Sequence, residues 1–318
     1  MNEFSTVLNA VLPVFAAMLA GGLMRKWNVL TEDADNSLMR MTLNLLVPSL
    51  IFDSILQNEA LKQPENLLLA PLVGFITVAV GLWVAKLLGG LSGLKNVKAL
   101  RAFIICVGIY NYGYMTLPLA DQLYDRKTVG VLFVHNLGVE IAMWTLGVMV
   151  LTGGKSGGGK SGLWNAPVIS ILIAVFLNLI GAYQYIPNFV MSTAHFFGQC
   201  AFPIALILTG AIVADYAHEF HEDLGGRVIT SSVLLRILLI PFLFMLAARY
   251  LPSSIVSLEL KRVIVLQATM PAAIFPIVLV KRYDCDTPTA LRVVLGTLII
   301  SLFTIPLWLK FGKAFAGL

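Results

Sequence analysis

Two short segments interrupted by proline lie inside otherwise apolar stretches of membrane-spanning length, one in each half of the chain. Backbone that cannot complete its helical hydrogen bonds is costly in hydrocarbon, so it persists where it is buried in protein or lines a wet cavity. A pair of such interruptions in corresponding places is typical of a ligand site near the bilayer midplane. The residues that we predict to form this site are Asn111, Tyr112, Gly113, Tyr114, Met115, Pro118, Thr269, Met270, Pro271, Ala272, Ala273, Ile274 and Pro276.

The two segments are suited to binding an anion. Each break starts a new half-helix, whose first N–H groups lack intrahelical acceptors and carry a partial positive charge. Two such helix starts that meet would hold a carboxylate without a fixed cation. Asn111 can add an amide donor, although the same side chain could instead cap its own broken helix. Tyr112, Tyr114 and Met115 could frame an apolar or aromatic ligand body, or serve only in packing. The prolines mainly set the shape of the breaks.

Ionisable residues deep in apolar spans are functional candidates by default. Glu140 and Arg236 each lie near the middle of a span. We hypothesise that they pair, or that Glu140 forms a proton-linked or cation-linked support site with His135 and Asn136. Gln267 would be the matching polar residue near the second break. A static buried ion pair is the alternative, because an unpaired charge at that depth is costly.

Other polar groups have simpler interpretations. Asp121 could face the same cavity or reach the outer interface, Asp53 could make a polar contact in the scaffold, and His195 is predicted to be a core or cavity histidine. Residues 154–161 fit the phosphate-loop pattern G-x-x-x-x-G-K-S, but they join two membrane spans where that loop needs a strand and a helix. The acidic and histidine residues of 215–223 are predicted to form a solvated loop. The three cysteines are odd in number and far apart, so we predict no disulfide, metal site or cofactor.

The composition places these residues in a bilayer. The chain is 58% hydrophobic and 12% charged, whereas soluble domains are about 25% charged. Apolar stretches of about 20 residues predict an all-α membrane protein with ten transmembrane helices. The predicted spans are 6–26, 36–57, 66–90, 99–124, 128–151, 163–183, 188–214, 227–249, 259–283 and 288–312.

The prolines indicate an internal repeat. They recur at matching places of the two halves, as Pro13 with Pro167, Pro48 with Pro203, and Pro118 with Pro276. Five spans per half make the second copy enter the membrane from the opposite side, so the repeats are inverted. The predicted units are a first repeat, a linker rich in Gly, Ser and Lys, and a second repeat, at 1–152, 153–162 and 163–318.

Basic residues set the expected orientation. Loops and helix ends after the odd-numbered spans hold ten lysines and arginines, against eight on the other side. This bias favours cytoplasmic odd-numbered loops and both termini outside the cell membrane, the inner membrane in a bacterium.

The chain resembles the auxin efflux carrier family from end to end. The motifs that carry the resemblance are Gly21-Gly22 with 25–30, the run 43–48, Asn111 with Pro118 seven residues on, and 274–283. The resemblance implies ten helices in which the broken helices 4 and 9 cross. It further implies a scaffold of spans 1, 2, 6 and 7 and a transport domain of spans 3–5 and 8–10. It also implies elevator-type exchange of a small organic anion, Asn111 beside the substrate, and a homodimer joined through the scaffold.

Other function classes fit less well. An intramembrane enzyme would need a nucleophile or metal set deep in the spans, and a channel would give ion flux without saturation. The nearer alternative is a sodium-coupled symporter of the bile-acid-transporter type, although the second break offers only Gln267 and Thr269 as polar side chains. The expected partners are therefore a small organic anion, the lipid bilayer and a second copy of the chain, without nucleic acid.

Overall fold

The computed structural model describes residues 3–154, 164–217 and 225–318. The regular elements of the described part are all helices, and its single β-bridge lies outside any strand. Seven helices in these ranges are long and apolar enough to cross a membrane, and a shorter apolar helix spans Ala166–Leu179. The all-helical, multi-pass prediction is therefore confirmed. The predicted linker lies outside the described residues from 155 onwards, and the predicted loop at 215–223 does so from 218 onwards.

The described helices follow the predicted spans in order. In the first half they are α1 (Glu3–Lys26), α2 (Glu32–Ile55), α3 (Pro64–Leu87), α4 (Val97–Gly108), α5 (Thr116–Leu123) and α6 (Arg126–Thr152). In the second half they are α7 (Ala166–Leu179), α8 (Asn188–Ala217), α9 (Gly226–Tyr250), α10 (Leu258–Ala268), α11 (Phe275–Arg282) and α12 (Thr287–Ala316). Short 3₁₀ turns occupy Glu59–Lys62, Gly89–Ser92 and Ala182–Tyr185.

The sixth predicted span, 163–183, is longer than the helix that the structure shows. Helix α7 begins after Asn165, whose side chain accepts a hydrogen bond from the Val168 N–H, and it ends at Leu179. Gly181 has a left-handed backbone, with φ of 69°, and starts a 3₁₀ turn. The helix ends early because this turn redirects the chain.

Three long helices contain a π-helical turn, at Thr42–Leu46 in α2, Met143–Gly147 in α6 and Leu234–Leu239 in α9. Pro48 and Pro241 follow two of these turns. Proline removes one backbone donor and crowds the preceding turn, and a wider turn accommodates that change. The third turn has no such proline.

Glycines set the closest helix pairs. Helix α3 packs most extensively on α6, and α1 on α8. A Cβ atom added to Gly138 would lie 1.7 Å from the Pro71 carbonyl oxygen, and one added to Gly210 would lie 1.7 Å from the Met18 carbonyl oxygen. These contacts are backbone to backbone, as is usual where small residues drive helix packing in membranes.

The two breaks cross and pair with each other. The Asn111 N–H donates to the Pro271 carbonyl over 2.8 Å, and the Ala273 N–H donates to the Ile109 carbonyl over 3.0 Å. Tyr110 and Ala272 thus form an isolated antiparallel bridge. Extended backbone at this depth is tolerated because each break satisfies polar groups of the other.

Candidate functional site

A cavity of about 490 Å³ lies beside the crossing. Its volume falls in the usual range of ligand sites, about 300 to 1,000 Å³. One wall comes from α2, α7 and α8, and the opposite wall from both breaks and α6. The residues that line it include Asn44, Asn111, Tyr112, Gly113, Tyr114, Glu140, Trp144, Asn165, Ile274 and Phe275.

The structure brings only part of the predicted set to this cavity. Asn111, Tyr112, Gly113, Tyr114, Ala273 and Ile274 line it, together with Asn136 and Glu140. The other predicted residues of the breaks do not line the cavity. Met115 packs in the core, and Pro271 and Ala272 pair with the first break at the crossing. The predicted residues outside the lining are Met115, Pro118, Thr269, Met270, Pro271, Ala272, Pro276, His135, Arg236 and Gln267.

Asn111 carries an amide donor without an acceptor. The side chain is 2% exposed, and its Oδ1 accepts the Met115 N–H over 3.2 Å. That donor fixes which end of the amide is oxygen. The Nδ2 atom is buried and has no hydrogen-bond partner among the described residues. Asn111 therefore caps its own helix, as one interpretation held, and this cavity-lining residue still retains an unpaired donor.

The two helices that start at the crossing lack a side-chain cap from their N-cap residues, as α2, α3 and α9 also do. Several helices elsewhere begin with a side-chain cap, from Asn96, Asp125, Asn165, Ser257 and Asp286. Helices α5 and α11 have no such cap at their N-cap residues. The N–H groups of Gly113, Tyr114, Ile274 and Phe275 have no acceptor in the described part of the chain. Four unpaired donors at two helix starts favour an anion.

A polar network fastens the crossing to α6. The Gln267 Nε2 donates to the Asn136 Oδ1 over 3.0 Å, and the Asn136 Nδ2 donates to the Tyr112 carbonyl over 2.9 Å. The Thr116 hydroxyl lies 2.5 Å from the Asn111 carbonyl and 3.1 Å from the Gln267 Oε1. The fully buried His135 ring lies 3.4 Å from the Asn136 Oδ1. These atoms hold the first break, α6 and α10 in one arrangement.

Glu140 and Arg236 do not pair among the described residues. The Glu140 carboxylate accepts from the Tyr112 hydroxyl over 2.6 Å and from the Trp144 Nε1 over 3.0 Å. Arg236 donates to the Met270 carbonyl over 3.2 Å and lies 5.3 Å above the Tyr110 ring. The hypothesis of an ion pair between them is therefore wrong for this structure, because each group finds nearer partners in its own surroundings.

The remaining polar candidates lie elsewhere. Asp121 is absent from the cavity lining. The Asp53 carboxylate lies 3.0 Å from the His195 Nδ1 and 3.7 Å from the Arg126 Nη1. The His195 side chain is 44% exposed, so the interpretation as a core histidine is wrong, and His195 does not line the cavity at the crossing either. Asp53 lies near the end of α2, Arg126 begins α6 and His195 lies in α8.

Some lining residues were not predicted. Trp144 lies four residues after Glu140, and that helical spacing could have indicated a contact. Asn165 caps α7 and also hydrogen-bonds to Glu140. Phe275 packs edge to face on Trp144, with ring centroids 5.9 Å apart. The wall from α2, α7 and α8 left no signal in the local sequence, because it depends on how distant helices pack.

Comparison with known proteins identifies the family. The sequence model described as membrane transport protein matches the chain in two segments, residues 6–161 and 158–309. The chain belongs to this family. Membership confirms the resemblance to the auxin efflux carrier family. The members of this family are membrane transporters and not enzymes.

Curated relatives of this transport family match almost the whole chain. An uncharacterized transporter of Methanothermobacter thermautotrophicus is 24% identical over 306 residues, which cover 94% of this chain and 96% of the relative. A second, from Methanocaldococcus jannaschii, is 25% identical over 310 residues, covering 95% and 97%. The uncharacterized transporter YfdV of Escherichia coli is 23% identical over 319 residues, covering 95% and 96%.

Proposed function

We propose that the protein is a secondary transporter that binds a small organic anion in the cavity at the crossing. The observation that carries this proposal is the set of unpaired donors there, namely the Asn111 amide and the N–H groups at the starts of α5 and α11. No lysine or arginine is among the described residues that line the cavity. Dipolar donors without a fixed cation can bind a carboxylate and still release it.

The rest of the cavity suits an apolar ligand body. Aromatic rings from both walls face it, including Tyr114, Phe133, Trp144, Trp164 and Phe202. Aromatic side chains bind apolar groups through large contact areas. We therefore favour an amphipathic monocarboxylate, with its carboxylate at the crossing and its apolar part among the rings.

The proposed mechanism is elevator-type alternating access. We propose two inverted five-helix repeats, with a scaffold from α1, α2, α7 and α8 and a transport domain from the other helices. The family match divides at residues 158–161, close to the proposed boundary between the repeats. The cavity lies between the proposed scaffold and the proposed transport domain. This position suits a carrier in which the transport domain slides along the scaffold.

The location in the cell and the assembly are also proposals. The chain is a multi-pass membrane protein. We propose that it resides in the inner membrane with both termini outside, following the excess of basic residues after odd-numbered spans. A homodimer joined through the scaffold is proposed from the family resemblance.

A thermal-shift screen of the purified protein tests the proposed ligand class. We expect hexanoate or benzoate to stabilise the wild type, by about 2.7 kcal/mol at 100 times its Kd. Asn111→Ala should abolish this shift. Asn44→Ala is the matched control, because Asn44 lines the same cavity but its amide already donates to the Arg40 carbonyl. Stabilisation only by sodium, or by sodium with a bile acid, would instead support a sodium-coupled symporter.

A further inference from the structure

The carboxylate of Glu140 shares the cavity with the donors of the crossing. We propose that Glu140 determines specificity, because its negative charge excludes ligands that carry a second carboxylate. This inference rests on the proposed function, since it assumes that a first carboxylate binds at the crossing.

The hydrogen bonds of Glu140 fit an ionised carboxylate. Oε1 accepts from the Tyr112 hydroxyl and Oε2 from the Trp144 indole N–H, and the Asn165 side chain supplies a further hydrogen bond. An ionised carboxylate can accept hydrogen bonds at both oxygens, and these neighbours supply them. The groups that contact the carboxylate are themselves neutral.

In the described ranges, no lysine or arginine side chain contacts this carboxylate. Among the described residues, no ion pair involves Glu140. Arg236, the fully buried arginine, is held by the carbonyls of Ala268 and Met270 instead. The field of an unpaired charge reaches further in a cavity lined by apolar groups than in water, because little solvent screens it.

Tyr112 connects the crossing to Glu140. Tyr112 belongs to the first break, and its hydroxyl donates to the Glu140 carboxylate. The crossing and Glu140 are therefore one tyrosine side chain and one hydrogen bond apart. A ligand of about that length would bring its second carboxylate towards Glu140, where like charges repel. A neutral end of the same length meets no such repulsion.

Three ligands of matched length test this inference. Hexanoate has one carboxylate, adipate has two, and monomethyl adipate keeps the length of adipate with one charge. We expect the wild type to bind hexanoate and monomethyl adipate more tightly than adipate, by about tenfold or more. Equal affinity for adipate and its monomethyl ester would overturn the inference without any variant.

Variants of Glu140 give a second test. Glu140→Gln should bring the adipate affinity to within about threefold of the hexanoate affinity, by strengthening adipate binding. Glu140→Asp keeps the charge and should keep the discrimination. An unchanged ratio in Glu140→Gln would overturn the role of Glu140. If no acid bound the wild type at all, the proposed function itself would fail, which distinguishes the two outcomes.

Discussion

The Asn111 N–H donates to the Pro271 carbonyl over 2.8 Å, so the two breaks, 160 positions apart in sequence, share one hydrogen-bonded crossing. The backbone of Asn111 therefore fixes the crossing, while its side-chain Nδ2 stays without a partner in the described chain. One residue therefore both fixes the crossing through its backbone and carries an unpaired side-chain donor.

Loss of Arg236 should destabilise the protein. Its guanidinium donates to two buried carbonyls near the end of α10 and stacks on Tyr110. Arg236→Met would leave those carbonyls unsatisfied, and we expect a loss of about 1–3 kcal/mol in unfolding free energy. Thermal unfolding in detergent measures it. Arg282→Met, at an exposed position, is the control and should behave as wild type.

Asn136 and Gln267 should act together in positioning the site for carboxylate binding. Their side chains bond each other over 3.0 Å and connect the Tyr112 carbonyl with Thr116. Each single alanine variant should weaken carboxylate binding. The double variant should lose less binding free energy than the sum of the two single losses. We expect an interaction energy of about 0.5–3 kcal/mol from the double-mutant cycle. Strict additivity of the two losses would show that the network does not position the site.

Gly210 should be intolerant of alanine. A methyl group there would lie 1.7 Å from the Met18 carbonyl oxygen, so α1 and α8 would have to separate. The matched control is Gly22→Ala in α1, where the nearest atom would be 3.4 Å away. We expect Gly210→Ala to lower the midpoint of thermal unfolding by several degrees, about the effect of 1–3 kcal/mol, with Gly22→Ala near wild type. Equal behaviour of the two variants would contradict this packing.

The Asp53 cluster should affect transport rate more than affinity. Asp53 and His195 lie on the proposed scaffold, and Arg126 begins α6 of the proposed transport domain. Asp53→Asn should weaken this contact and speed exchange by up to about fivefold, since such pairs are worth at most about 1 kcal/mol. Counterflow in proteoliposomes measures the rate. Asp284→Asn, which breaks a pair with Lys98 inside the proposed transport domain, should leave the rate unchanged.

The sequence was sufficient to predict the breaks but not the whole cavity. Proline and polar residues inside apolar spans locate both breaks, because hydrocarbon penalises unpaired backbone wherever it occurs. The partners of Arg236 could not be predicted, since they are main-chain carbonyls that any sequence provides. The contact between Glu140 and Trp144 follows helical spacing and could have been predicted. The wall from α2, α7 and α8 depends on long-range packing, which local patterns do not encode.

Transport by the Asn111→Asp variant tests whether an anion binds at the crossing. Aspartate keeps the oxygen that accepts the Met115 N–H, but it replaces the free amide donor with a negatively charged oxygen. We would measure uptake of radiolabelled benzoate or hexanoate into proteoliposomes, with Asn44→Ala as the control. We expect folded Asn111→Asp protein to lose uptake by about tenfold or more, with Asn44→Ala near the wild-type rate. Uptake at the wild-type rate would contradict an anion site at the crossing.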